Sequence, residues 1–311
     1  MYNIDIYIIF VELSYIYIMR KELEDKVRNS ILLLRKAYRH VKHQGKRLEI
    51  CISGGKDSDV LIELCKMGGI WGSDVLRPLH KCTTIDPAGT LRHVLSQGVE
   101  VIRPRRDFRA CIERSGFPSR YVRHCCGELK EYAVEDYAVL GIRKCESVNR
   151  EKIYDEVETC RVYNGRGKAI QYYPLLWWTD EDVREFIEER GIRCHPLYYD
   201  LEGVFHVERR LGCICCPLAS KKHRLEEFKK NPRMVRFYIR HGLRYWESHP
   251  QSGVRKHFGN VYEQFVCDVF CDSVDDFKKR FKKDLDLFGV GCIDCKLYLE
   301  NYFGISLDFK K

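Results

Sequence analysis

Two groups of residues in this chain could do chemistry. The first is Ser53-Gly54-Gly55-Lys56-Asp57-Ser58, a short run that combines backbone freedom, hydroxyls, a cation and a carboxylate. Adjacent glycines let the chain turn tightly and bring its amides close to a polyphosphate, and the first turn of a following helix favours negative charge. The second group is a set of thiols: Cys125 and Cys126 are neighbours, and Cys213 and Cys216 form a C-x-x-C. A C-x-x-C puts two sulfurs on one turn so that both reach one metal centre, and a helix start at Cys125 favours the thiolate that ligation needs. Four such cysteines suit an iron-sulfur cluster or a tetrahedral Zn²⁺, with inert buried thiols as the third reading.

The flanking residues say what must position the first group. Arg47 to Ile52 reads as a short buried strand, and Val60, Leu61, Leu64 and Met67 recur at helical spacing until Gly68-Gly69. A strand, a glycine turn and a helix in that order make a phosphate cradle. A Walker A loop is excluded, because Ile50 stands where its first glycine belongs and Asp57 where its Ser or Thr belongs. Further strands are expected at Leu79–Ile85, Val99–Ile102 and Ala138–Ile142. Helices are expected at Leu91–Leu95, through Leu129, Ala133 and Tyr137, and at Thr179–Arg190, where Thr179 and Asp182 make a capping pair. Alternating strands and helices imply an α/β fold: an open, mostly parallel twisted sheet with helices on both faces, plus a helical C-terminal region. Ligands of such sheets bind at the carboxyl ends of the strands, which gathers Ser53–Ser58, Thr84–Asp86 and Arg143 around one crevice.

The organisation expected along the chain is an extension at 1–18, disordered or misassigned, then a helix at 19–45, a nucleotide-binding core at 46–220 and a basic helical domain at 221–311. Met19 opens a helix start and reads as the initiator. The Ile- and Tyr-rich residues before it contain Asp5 and Glu12 and form too short an apolar run for a membrane anchor. With 45% hydrophobic and 32% charged residues the chain is ordinary for a globular protein, and its net charge of +9 suits anionic ligands without naming one. Sixteen cysteines without a secretory signal point to a reducing, cytoplasmic setting, where clustered thiols are metal ligands or redox groups. Cys215 reads as a bystander, and Cys51, Cys65, Cys82, Cys111, Cys145, Cys160 and Cys194 as small buried hydrophobes.

The hexapeptide resembles the SGG-x-DS pyrophosphate loop of the N-type ATP pyrophosphatases and the related PAPS (phosphoadenosine phosphosulfate) reductases. Over roughly residues 46–220 further segments are similar to the PAPS reductase-like family, in order. Cys125-Cys126-Gly127-Glu128-Leu129-Lys130 resembles a CC-x-x-x-K element whose lysine binds the substrate's anionic group. Gly141-Ile142-Arg143 with Glu146, Ser147 and Arg150 resembles a G-x-R-x-x-E-S-x-x-R segment. Tyr173-Pro174-Leu175, Trp178-Thr179, His195-Pro196-Leu197-Tyr198 and Gly212-Cys213 complete the series. The cysteine pair with the C-x-x-C resembles the [4Fe-4S] signature of assimilatory adenylylsulfate reductases, which implies Cys125, Cys126, Cys213 and Cys216 as ligands.

The resemblance implies a Rossmann-like adenine nucleotide alpha-hydrolase fold and an adenine nucleotide at Ser53, Gly54, Gly55, Lys56, Asp57, Ser58, Asp86, Arg143, Glu146 and Arg150. Catalytic roles would fall to Lys56, Asp57, Lys130 and Arg143. The Glu-Cys-Gly-x-His element of true sulfonucleotide reductases is absent, its nearest substitute being Gly291-Cys292-Ile293-Asp294-Cys295, and Lys56 is what ATP-cleaving relatives carry. The leading expectation is therefore an ATP pyrophosphatase-type enzyme that uses ATP with Mg²⁺ to adenylate an acceptor for iron-sulfur-assisted sulfur transfer. A sulfonucleotide reductase and a non-catalytic nucleotide-binding regulator are the alternatives. Its partners would be a sulfur donor (a cysteine desulfurase or thioredoxin-like protein) and a small-molecule or nucleic-acid acceptor. Residues 221–256 are rich in Lys and Arg, with Phe228, Phe237, Tyr238, Tyr245 and Trp246 interleaved, the residue types that phosphate contacts and base stacking use.

Overall fold

The computed structural model describes residues 3–132, 135–146, 155, 157–161, 168–282 and 293–309, with backbone alone for 3–20, 158–161 and 168. It divides into two compact units that are not continuous in sequence. Unit one holds residues up to 82 with 87–103 and 131–212; unit two holds 83–86, 104–130 and the chain from 213 onward. The expected core at 46–220 thus gives up 83–86, 104–130 and 213–220 to the helical unit.

Unit one is built on a sheet of order β3-β2-β1-β4-β6-β5 among the described residues. Its strands are β1 Leu48–Cys51, β2 Leu76–Lys81, β3 Glu100–Ile102, β4 Tyr137–Val139, β5 Val157–Arg161 and β6 Lys168–Tyr172. All neighbouring pairs are parallel except β5 with β6, so this is an open, mostly parallel sheet with one antiparallel edge. The order reverses between β1 and β4, where the chain's connections leave in opposite directions and a crevice opens at the strand ends. Helix α1 (Asn3–His43) packs on β1, β6 and α2 (Lys56–Met67), while α3 (Thr90–Ser96) lies against β3. The helix of α1 is drawn back to Asn3, through the region expected as a disordered extension. No helix among the described residues is long and apolar enough to cross a membrane.

Three expectations are corrected. The second strand is β2, ending at Lys81, and Thr83–Asp86 is a turn. The helix expected through Leu129 and Tyr137 stops at Leu129, and Tyr137 instead opens β4. That strand ends at Val139, which frees residues 140–143 to leave the sheet.

The buried core of unit one, including Leu48, Ile50, Leu61, Leu64, Val139, Leu175 and Phe186, fixes the loops after the strands. Helix α6 (Asp180–Glu189) starts as expected, with Thr179 and Asp182 closing a reciprocal capping box; α4 (Phe108–Ser115) and α5 (His124–Leu129) precede it in unit two. Indole Trp178 Nε1 donates to Ser30 Oγ at 3.0 Å, and Ser30 Oγ donates to the Pro174 carbonyl at 2.6 Å, which pins the loop after β6 to α1.

Unit two is helical, with α7 Lys221–Lys230, α8 Pro232–Ser248, α9 Val261–Phe270, α10 Val274–Phe281 and α11 Cys295–Phe303. Its core is aromatic: Phe228, Tyr238 and Phe265 meet edge to face. Aromatic pairs of this kind add about 0.5–1.5 kcal/mol beyond the area they bury. Gly242 on α8 has no room for a side chain, because a Cβ there would lie 2.6 Å from the Phe117 ring and 2.8 Å from Val261 Cγ2. Gly242→Ala is expected to cost about 1–3 kcal/mol through overpacking, read as a lower midpoint in chemical denaturation of the whole chain; an unchanged midpoint would show that this contact is slack.

Candidate nucleotide site and cysteine group

Strand β1 delivers the hexapeptide to the switch point. Gly54 takes φ 81°, a left-handed conformation that glycine adopts without strain. Both glycines are also demanded by space: a Cβ at Gly54 would meet Thr90 Cγ2 at 3.1 Å and Val94 Cγ1 at 3.2 Å, and one at Gly55 would meet the Tyr198 hydroxyl at 3.1 Å. The serines hold the turn. Ser58 Oγ donates to the Gly55 carbonyl at 2.7 Å and accepts from Gly54 N, while Ser53 Oγ accepts from Gly55 N. Ser58 is buried and Ser53 exposed, so Ser53 is the hydroxyl placed to reach a ligand. Gly55 caps α2 without any side-chain bond, leaving the helix start to backbone amides.

The charges of the loop are arranged around Asp57. Lys56 is buried, with its Nζ 3.4 Å from Asp57 Oδ2 and 5.8 Å from the centre of the Tyr198 ring. Arg143, brought in by the loop after β4, is 1% exposed and places Nε 2.8 Å from Asp57 Oδ1 and Nη2 2.7 Å from Asp180 Oδ1. Burial works against the Arg143 charge, but Asp57 and Asp180 outweigh it and hold the guanidinium above its ordinary pKa. The Arg143 Nε and Asp57 Oδ1 atoms stand at ion-pair distance without hydrogen-bond alignment, so this carboxylate oxygen keeps acceptor capacity. A hard oxygen donor of that kind fits Mg²⁺ bound with phosphates. Glu146 is engaged by Arg210 at 3.3 Å. Ser147 and Arg150 lie outside the described residues.

Several members of this site were given no role in it from the sequence, where Tyr198 stood only in the family series and Cys145 only as a small buried hydrophobe. Tyr198 Oη accepts from Leu211 N at 3.3 Å and from the Lys56 amide, and burial pushes its pKa up so that it stays a neutral phenol behind the loop. Asp59, on the buried side of α2, holds His93 Nε2 at 2.9 Å and Gln97 Nε2 at 2.9 Å, tying α3 to the loop. Cys145, expected to be a buried hydrophobe, is exposed; its sulfur accepts from Arg143 Nη1 and its thiol donates to the Trp178 carbonyl, each at 3.3 Å. Asp180 could have been suspected from its acidic helix start, the others only from the folded geometry.

The cysteines belong to unit two, as do Lys130 and Asp86. Asp86 caps its own turn, accepting from Thr83 N at 2.7 Å and Thr83 Oγ1 at 2.5 Å. Cys125 and Cys126 open α5, and Cys213 hydrogen-bonds Thr83 Oγ1 at 3.5 Å. The four sulfurs act on one another. A hydrogen bond from Cys125 pulls the Cys126 thiol below its ordinary pKa, helped by Arg123 and Lys130, while Cys125 is driven upward by the same bond, by burial and by Cys126, Cys216 and Cys213. Burial opposes the charge of Lys130, but Cys213, Asp86, Cys126 and Cys216 keep its ammonium protonated. Among the described residues no group of three or more His, Cys, Asp or Glu is disposed to hold a single metal ion. The thiolate chemistry of the four donors nevertheless fits a cluster, which spreads its ligands wider than one tetrahedral ion with its sulfurs about 2.3 Å away.

The aromatics of the basic stretch are engaged within the protein. Phe228 and Tyr238 are fully buried, Trp246 is covered by Arg255 at 4.7 Å, Phe237 stacks on Phe108 and Tyr245 on His249. Arg224 is buried too, paired with Asp268 at 2.8 Å.

A glycine phosphate loop at the switch point of a mostly parallel sheet defines a nucleotide-binding α/β protein. The family described as the phosphoadenosine phosphosulfate reductase domain matches residues 47–219, and the chain belongs to it. It is 30% identical over 156 residues to an uncharacterised 37.8 kDa protein of Escherichia phage 186, covering 45% of this chain and 44% of that one, so it spans less than half of that relative. Among solved structures it is similar to the FMN adenylyltransferase of Candida glabrata (13% identity, TM-score 0.42, 62% of each chain). It is also similar to the PAPS reductase of Candida auris (14%, 0.41, covering 62% of this chain and 94% of that one). A third is the U34-tRNA thiolase NcsA of Methanococcus maripaludis with its [4Fe-4S] cluster (11%, 0.35, covering 83% and 90%).

Removing one partner of a buried pair leaves the other uncompensated, so Arg143→Ala is expected to lose about 3–5 kcal/mol of stability and Arg143→Lys to recover part of it. Denaturation midpoints check this; an unaltered Arg143→Ala midpoint would show that the pair with Asp57 contributes nothing.

Proposed function

We propose that this protein is an ATP pyrophosphatase-type enzyme that adenylates an acceptor for sulfur transfer. The observation that carries this reading is the Asp57 carboxylate, set within the glycine loop between Lys56 and Arg143, with its Oδ1 making no hydrogen bond. In this reading the loop holds the β and γ phosphates of ATP, Asp57 takes Mg²⁺, and an acceptor atom attacks the α-phosphorus. The bond to the bridging oxygen breaks and pyrophosphate leaves. Charge builds on phosphoryl oxygens in that step, and Lys56 and Arg143, fixed before the substrate arrives, stabilise it without reorganisation. Ser53 donates to a phosphate oxygen, and Glu146 and Arg150 belong to the same nucleotide site by their place in the family motif.

Cys125, Cys126, Cys213 and Cys216 would hold the [4Fe-4S] cluster, which when bound supplies an iron-sulfur centre for handling the transferred sulfur. Lys130 and Asp86 serve this part of the chain: Lys130 balances the thiolates and meets the substrate's anionic group, and Asp86 fixes the turn that Cys213 touches. Zinc in place of the cluster is the alternative that metal analysis decides. A reductase would need a mobile C-terminal thiol, but Cys295 is buried at the start of α11, and Cys292 lies outside the described residues. A sulfur donor of the cysteine desulfurase or thioredoxin-like kind, and a cytoplasmic setting, complete the proposal.

Anaerobically purified protein is expected to contain iron and to release pyrophosphate from ATP when its acceptor is present. Asp57→Ala should lower that release at least about a hundredfold, the scale of losing one preorganised charge contact, while keeping its iron; undiminished release would refute the assignment. Cys213→Ser should lose the brown colour and the iron, and stoichiometric iron in this variant would overturn the ligand set.

A further inference from the structure

The backbone between Cys213 and Cys216 is held at more points than a C-x-x-C needs to bring two thiols together. Cys216 N donates to the Cys213 carbonyl at 3.2 Å, which closes a four-residue turn, and Ile214 N donates to the Ile85 carbonyl at 2.9 Å. Cys215 takes φ 56° at the third position of this turn, where a left-handed backbone ordinarily calls for glycine or asparagine. Among the described residues the other non-glycine residue with positive φ is Thr84, at 64°, which adjoins Ile85. Such a conformation persists only where the surroundings over-determine it. They do so here through both polar groups of one residue: Cys215 N donates to Glu227 Oε2 at 2.9 Å, and the Cys215 carbonyl accepts from Tyr238 Oη at 3.4 Å. The Cys215 side chain is fully buried with the aromatic core of unit two, so a glycine would relieve the backbone and leave that core short of a side chain. From Cys216 the chain runs directly into α7, with Ala219 N donating to the Cys216 carbonyl at 3.1 Å and Ser220 Oγ capping the helix at His223 N. Helix α7 is thus started without Glu227, whose reach back to Cys215 serves the turn.

We infer that Glu227 is the positioning residue of the cysteine group, fixing the turn that carries Cys213 and Cys216 through the backbone of Cys215, with Tyr238 as the second anchor. Cys215 is then the pivot of the turn and not a ligand. Its sulfur fills the core, and its main chain is the handle by which α7 and α8 hold the neighbouring thiols. The purpose of this device rests on the ligand set proposed above, Cys125, Cys126, Cys213 and Cys216. Partners behind a ligand orient it, and a turn ordered before the metal arrives loses no conformational freedom on binding. The bond to Glu227 has an ionised acceptor, which makes it the stronger of the two anchors.

The test uses the full chain, purified anaerobically, and follows metal release to a chromogenic chelator, bathophenanthroline disulfonate for iron or pyridylazoresorcinol for zinc. Glu227→Ala should give up its metal about tenfold faster than the parent, the lower end of what losing a contact behind a ligand costs. Glu227→Gln, which keeps an acceptor oxygen, should stay within about threefold of the parent, and Cys215→Ala should keep the parent's metal content. In the reduced, metal-free protein, iodoacetamide read by mass spectrometry should label Cys213 and Cys216 about tenfold faster in Glu227→Ala than in the parent. Cys271, buried in the same unit, should keep its parent rate, which a general loosening would raise as well. Should Glu227→Ala fail to fold, Tyr238→Phe, which deletes only a hydroxyl, makes the same comparison with the same sign. Equal release and equal labelling in parent and variant, labelling of Cys271 that rises with the other two, or a Glu227→Gln that behaves as Glu227→Ala would overturn the inference. Loss of metal from Cys215→Ala would overturn it too, by making that sulfur a ligand. A parent that binds neither iron nor zinc would sink the cluster of the proposed function, and the labelling rates would still decide whether Glu227 anchors the turn.

Discussion

A guanidinium removed from water is the constraint on which unit one is organised. Arg143 has almost no exposed surface, and its charge is tolerable only because Asp57 and Asp180 come to it from the loop after β1 and the start of α6. Three separate stretches of sequence therefore converge on one cation. A buried charge with two acidic partners fixes geometry more strictly than apolar packing does, because moving any one of them leaves an uncompensated ion. The phosphate loop inherits this rigidity, since Asp57 lies within it. The Tyr198 phenol, which accepts from the Lys56 amide, and the Asp59–His93 contact at the start of α2 support it further.

Unit two is held by a different kind of interaction. Its rings meet edge to face along α7, α8 and α9, and one of the residues that give the stretch its basic character, Arg224, is buried in that core. The cysteines sit against this aromatic mass, Cys125 and Cys215 inside it and Cys126 at its border. Sulfurs in such surroundings resist ionisation unless something nearby stabilises the anion. The hydrogen bond from Cys125, with Arg123 and Lys130, does this for Cys126, while the same bond and burial hold Cys125 above its ordinary pKa.

The sequence made the phosphate loop legible because glycine, serine and aspartate each have a narrow set of physical uses, and a strand before and a helix after leave one of them. The capping pair at Thr179 and Asp182 was readable for the same reason. Strand limits were less so. Pro78 lies within β2, in register with Ile50, where its missing donor reads from sequence as a strand start. The path through Tyr137 has helical spacing and strand propensity at once, and pairing with β1 and β6 decides it. The division into units was hidden because it depends on which side chains pack together, and 104–130 carries no compositional mark of belonging with the C-terminal helices. The exposure of Cys145 was hidden because a lone cysteine reads as a small apolar side chain, and only the folded loop after β4 turns it outward.

The interrupted order of the two units also sets a timetable. Cys213 follows Cys126 by 87 residues, an interval of roughly 4 to 17 seconds at about 5–20 residues added per second. Unit one cannot close around its sheet until Gly212 is out, and by then Cys213 and Cys216 have been made. A newly made chain therefore completes the sheet unit and the Cys213–Cys216 pair almost together, and unit two, which needs the chain from 213 onward, is the later of the two to close.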